Sequence, residues 1–190
     1  MEISLQTQKN CVSIPELPLT FSLMTTSEPN DLELYAEDIR RRIQDNDCEV
    51  FRNKSALHAS IILREFIKSA KDTVFIFCGH LNKFVYEHLF DVFQTAIQKG
   101  VNIKVITESD TPDSVKLAQL LREKDRYRSV RQDMKIPHFV IVDGKRYRME
   151  TDEAEKTALV CACVCTEEQK KRALVMNKLF QAMLNFAEIS

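Results

Sequence analysis

Ile136-Pro137-His138-Phe139-Val140-Ile141-Val142-Asp143-Gly144-Lys145 reads as one apolar strand closed by a tight turn. Asp-Gly is the dipeptide that a two-residue hairpin loop favours, because both central residues need left-handed backbone. The run His138 to Val142 is therefore expected to turn at Asp143-Gly144 and return antiparallel over Lys145 to Glu150. Strand alternation puts Lys145, Tyr147 and Met149 on one side of the returning strand and Arg146, Arg148 and Glu150 on the other. Only one of these sets can face a cleft.

Outward from the hairpin, helices and strands alternate. Ser55 caps a helix carrying Leu57, Ile61, Ile62, Phe66 and Ile67, which feeds the buried strand Thr73 to Cys78. A second helix has Val85, Leu89, Val92, Phe93, Ala96 and Ile97 on one stripe, and Gly100 ends it before the strand Val101 to Thr107. Ser114 to Arg122 reads as a short helix and Tyr127 to Val130 as a strand. After the hairpin, Thr157 to Cys165 reads as a central strand covered on both faces. Thr166 and Gln169 form a capping box for a last helix striped by Leu174, Met176, Leu179, Phe180, Met183, Leu184 and Ala187. The expected class is α/β, a mixed sheet flanked by helices.

Residues 1 to about 50 differ. Extended pieces at Glu2 to Gln6 and Leu19 to Thr25 flank Pro15 and Pro18, and Leu32, Tyr35, Ala36, Ile39 and Ile43 then recur at helical spacing. An N-terminal arm and helix over 1–50 and one domain over 51–190 is the expected organisation. Glu33, Asp38, Arg40, Arg41 and Arg42 on that helix read as a solvated face.

The chain has 190 residues and a formal charge of -1, so no global field draws it to nucleic acid or an anionic membrane, and any such binding must be local. The six cysteines lack C-x-x-C spacing and sit mostly in apolar runs, so reduced thiols and a cytoplasmic location are expected. Cys161, Cys163 and Cys165 share one face of the expected strand as small hydrophobes rather than metal ligands. Neither a secretion signal nor a run long enough to span a membrane is present, and no cofactor or metal site is read.

The strand and its turn resemble the His-x-Lys-x-x-x-x-Asp motif of the phospholipase D superfamily, in a single, degenerate copy. Asp143, Gly144 and Lys145 fit the end of the motif, but Ile136 stands where the family has its nucleophilic histidine and His138 where it has lysine. In that chemistry histidine attacks phosphorus and lysine neutralises developing charge, and isoleucine does neither. Sliding a histidine two residues along a strand moves it roughly 6 to 7 Å while keeping it on the same side. The resemblance covers roughly residues 52 to 188.

The resemblance implies a catalytically inactive binding or scaffold module, homodimeric because active members set two motif copies face to face. Its ligand would carry phosphate, as nucleic acid or nucleotide, or would be a protein reached through the N-terminal region, in a bacterial DNA-handling or antiviral setting. Alternatives are a phosphodiesterase or nuclease using His138 and Asp143 across a dimer, and a purely structural subunit. Arg126, Arg128, Arg131 and Lys135 before the hairpin, with Lys145, Arg146 and Arg148 in it, give a local basic excess suited to phosphate. Lys145, Arg148 and Arg131 are thus candidate ligand contacts. His80 and Asn82 join them because α/β folds gather ligand groups at strand ends.

Overall fold

The computed structural model describes residues 29–53, 55–109, 112–130, 136–152 and 157–189. The arm before Pro29 and Arg131 lie outside these described residues. Helix α1 (Pro29–Gln44) leads to strand β1 (Val50–Asn53), helix α2 (Ala56–Ser69) and strand β2 (Thr73–Cys78). Helix α3 (Lys83–Tyr86), a 3-10 turn (Glu87–Leu89) and helix α4 (Phe90–Gln98) precede strand β3 (Asn102–Thr107). Helix α5 (Val115–Glu123), strand β4 (Tyr127–Ser129) and the hairpin of β5 (Phe139–Val142) and β6 (Arg146–Asp152) follow. Strand β7 (Thr157–Cys161), helix α6 (Glu167–Phe186) and strand β8 (Glu188–Ile189) complete the chain.

The strands form one mixed sheet in the order β1-β7-β6-β5-β2-β3-β4-β8. β2, β3 and β4 run parallel, and β5 pairs antiparallel with β2, matching Phe77 to Phe139 and Val74 to Val142. Alternation along the central strands builds a core on each face. Val74, Ile76, Val140 and Val142 join the core on the side of α1, α2, α4 and α5, while Phe75, Phe77, Phe139 and Ile141 pack with Met176, Phe180 and Met183 of α6. The stripe Ala36 and Ile39 of α1 is buried in contact with α2. Among the described residues, no helix is long and apolar enough to cross a membrane.

The expected mixed α/β sheet is the observed one. Four local expectations need correction. The second helix is broken into α3, a 3-10 turn and α4, although its apolar stripe is kept. Strands β1 and β8 have no periodic signal, being four and two residues long, and exist through pairing with β7 and β4. β7 ends at Cys161, one place from the sheet edge, so Cys161, Cys163 and Cys165 do not share a strand face. Finally, Cys48 and Cys165 form a disulfide rather than remaining thiols. The antiparallel pairing of Val50 with Cys161 carries the chain flanking each strand to the same end of the sheet, which brings the two cysteines together.

Candidate functional site

His138 sits at the end of the sheet where parallel strands β2 and β3 finish, the place where open α/β sheets gather functional groups. Its carbonyl accepts from the Glu150 N–H at 2.8 Å, extending the β5–β6 pairing one residue beyond the strand. Glu108, just after β3, is held there by its N–H, which lies 3.1 Å from the carbonyls of Cys78 and Gly79. Both carboxylates reach the imidazole: Nδ1 of His138 is 3.1 Å from Oε2 of Glu150, and Nε2 is 3.2 Å from Oε2 of Glu108. Gly79 makes this possible, since a Cβ there would stand 3.1 Å from Cε1 of His138.

Alternation on β6 turns Arg148 and Glu150 to the same cleft. Arg148 is only 4% exposed, and it donates from Nη1 to Oε1 of Glu150 at 3.0 Å and from Nε to Oδ1 of Asn53 at 3.1 Å. Asn53 is the last residue of edge strand β1 and is itself buried. Gly79, His80, Asn82, Tyr86, His138 and Arg148 line a cleft of about 30 Å³, room for roughly two waters. His80 is oriented by Asp113, with Nε2 to Oδ2 at 3.3 Å, and the Asn82 carbonyl accepts from Val85 and Tyr86 to start α3.

Four of the sequence candidates, His138, Arg148, His80 and Asn82, thus meet in one cleft. Asp143 and Lys145 lie at the opposite end of β5. The Asp143 carboxylate accepts backbone N–H groups from Lys71 at 3.0 Å and from Asp72 and Thr73 at 2.9 Å, which ties the hairpin turn to the start of β2. The arginine triplet of α1 is paired internally: Arg40 with Glu33 and Glu65, Arg41 with Asp38, and Arg42 with Asp38, Asp47 and Glu49. Glu108, Gly79 and Asn53 were not singled out from the sequence. A usable signal existed for Glu108, which directly follows a buried parallel strand.

Ile136 was expected on the same side as His138. It instead packs against the core beneath α6, because residues 136–138 precede the strand and do not follow its alternation. With Pro137, Phe139, Met149, Val175 and Leu179 it lines an apolar groove of about 410 Å³.

Solved structures of other proteins share this arrangement of strands and helices. Nuc from Salmonella typhimurium, a phospholipase D family member, superposes with a TM-score of 0.58 at 14% identity, covering 76% of this chain and 99% of that one. The fold is phospholipase D-like. NucT from Helicobacter pylori superposes with a TM-score of 0.52 at 12% identity over 75% of this chain and 100% of that one. TrmBL2, an archaeal chromatin protein with a novel mode of DNA binding, gives a TM-score of 0.58 at 14% identity over 83% of this chain. The chain spans 60% of the TrmBL2 chain. No protein-family profile and no curated protein matches the sequence.

In this cleft acidic and basic groups are paired with one another. Two carboxylates, Glu108 and Glu150, face the Arg148 guanidinium and the His138 imidazole. Burial disfavours the charged imidazole, but the hydrogen bonds and charges of Glu150 and Glu108 outweigh it and hold the His138 pKa above its ordinary value. Only the imidazolium can donate to both carboxylates at once. In that state it has no lone pair for attack on phosphorus.

Proposed function

We propose that the chain is a catalytically inactive phospholipase D-like module that acts by binding, as a homodimer, rather than by cleaving phosphodiesters. The observation that carries this reading is that both ring nitrogens of His138 are held by carboxylates, at 3.1 and 3.2 Å. Two further features support it. Ile136, at the position the resemblance gives to the nucleophile, is turned into the apolar groove, and the cleft beside His138 is narrow, at about 30 Å³. A phosphate would also have to displace Glu150 from Arg148. The homodimer is proposed to form across the α6 groove, whose lining residue Val175 is 62% exposed and is preceded by Leu174, 52% exposed. An exposed apolar surface of this kind suits a two-fold interface, in which the same patch meets itself.

Incubating the purified protein with bis(p-nitrophenyl) phosphate, DNA and RNA, beside His138→Ala, tests the reading. No turnover above the variant is expected, and turnover lost in the variant overturns it. Light scattering on the same samples is expected to give the dimer mass.

A further inference from the structure

We propose that Cys48 and Cys165 form a reversible redox pair, opened and closed by exchange with a small monothiol, whose state sets how firmly edge strand β1 and its Asn53 are held to the sheet. The two residues are 117 apart in sequence with Cα atoms 5.7 Å apart, and both are exposed, so a thiol in solution can reach the bond. Exposed disulfides are the exchangeable class, whereas buried ones resist reduction.

The surroundings keep the sulfurs near each other once the bond is open. Gln169 donates from Nε2 to the Cys48 carbonyl at 2.7 Å, and its Oε1 accepts from the Cys165 and Thr166 N–H groups at 2.9 Å each. This bridge depends on no sulfur. It leaves Cys48 and Cys165 placed to re-form the bond, which is what a reversible pair requires.

The consequence of opening falls on β1. Among the described residues that strand pairs with β7 alone, and the covalent link lies two residues before its first residue, Val50. At its other end Asn53 orients Arg148, which holds Glu150, which holds His138. Reduction proceeds when a thiolate attacks one cysteine sulfur and displaces the other as thiolate. A second thiolate then attacks the mixed disulfide, freeing the remaining cysteine and leaving a small-molecule disulfide, so two electrons pass from two thiols to the protein. Oxidation is the reverse, with the small disulfide as oxidant.

The test equilibrates the full chain in glutathione buffers of varied reduced-to-oxidised ratio, quenches with acid, alkylates, and reads each cysteine by peptide mass. The pair is expected to cross from bonded to free within that range. Amide exchange over Val50 to Asn53 is expected to quicken about tenfold in the reduced protein and in Cys48→Ser and Cys165→Ser, with β2 unchanged. Cys163→Ser should behave as wild type. A bond that persists in a hundredfold excess of reduced glutathione while the protein stays folded, a pair that never bonds in oxidised glutathione, or β1 exchange equal in both states would each overturn the proposal.

Discussion

Replacing Arg148 with leucine removes the group that connects β1 to the histidine cleft. Two hydrogen bonds involving the guanidinium are lost, to Glu150 at 3.0 Å and to Asn53 at 3.1 Å, each worth about 1.5–3 kcal/mol when one partner is charged. Glu150, whose side chain is 12% exposed, then keeps its charge without the guanidinium, with His138 still beside it. Breaking a buried pair by removing one member costs about 3–5 kcal/mol, and burying the leucine returns about 1–2 kcal/mol, leaving a loss of about 1–4 kcal/mol. At 2–4 °C per kcal/mol for a chain of this size, the melting temperature should fall by roughly 2–16 °C. Urea unfolding is the assay: the midpoint should drop with the slope unchanged. Removing Glu150 as well, in Arg148→Leu with Glu150→Leu, should cost less than the sum of the two single changes by about 1–3 kcal/mol. A single-variant loss below about 1 kcal/mol, or strict additivity, would refute the coupling of Arg148 to Glu150.

Because the folded His138 pKa is raised, its stabilising contribution is complete below the unfolded value of about 6.5 and is lost as pH rises through the folded value. Urea midpoints should therefore fall above pH 6.5 in wild type by an increment missing from His138→Gln. Gly79→Ala places a methyl 3.1 Å from the imidazole, and an overpacking loss of about 1–3 kcal/mol with displaced His138 ring signals is expected by NMR. Asp143→Ala removes the acceptor of three backbone N–H groups at a residue with φ of 52°, and calorimetry should show a loss of about 2–4 kcal/mol, larger than for Asp143→Asn, which keeps an acceptor oxygen.

What the sequence made legible was whatever is written in periodicity. The apolar runs of β2, β3 and β5, the Asp143-Gly144 turn, the Thr166–Gln169 capping box and most of the stripes of α2 and α6 depend on local pattern, and they sufficed for the fold, although Leu57 and Leu174 stand exposed and Ala187 caps α6 rather than extending its stripe. β1 was not legible, because Val50 to Asn53 is only four residues with no apolar alternation and is held by a partner more than a hundred residues away. The site divides in the same way. Strand-end reasoning reached His80 and Asn82, and alternation put Arg148 and Glu150 on one side. Glu108 is joined to His138 only by tertiary structure, from thirty residues away. The side of the sheet that Ile136 takes was misread because strand parity was extended past the point where the strand begins. The Cys48–Cys165 link was hidden for the same reason as β1, which brings the two together.

The most direct test is a pH titration of the His138 ring by NMR, with and without inorganic phosphate and a short oligonucleotide. A ring that titrates above its ordinary value and is unmoved by either addition is the expected result. An ordinary or lowered titration, or a ring signal that shifts when phosphate or nucleic acid is added, would contradict a cleft locked by Glu108 and Glu150.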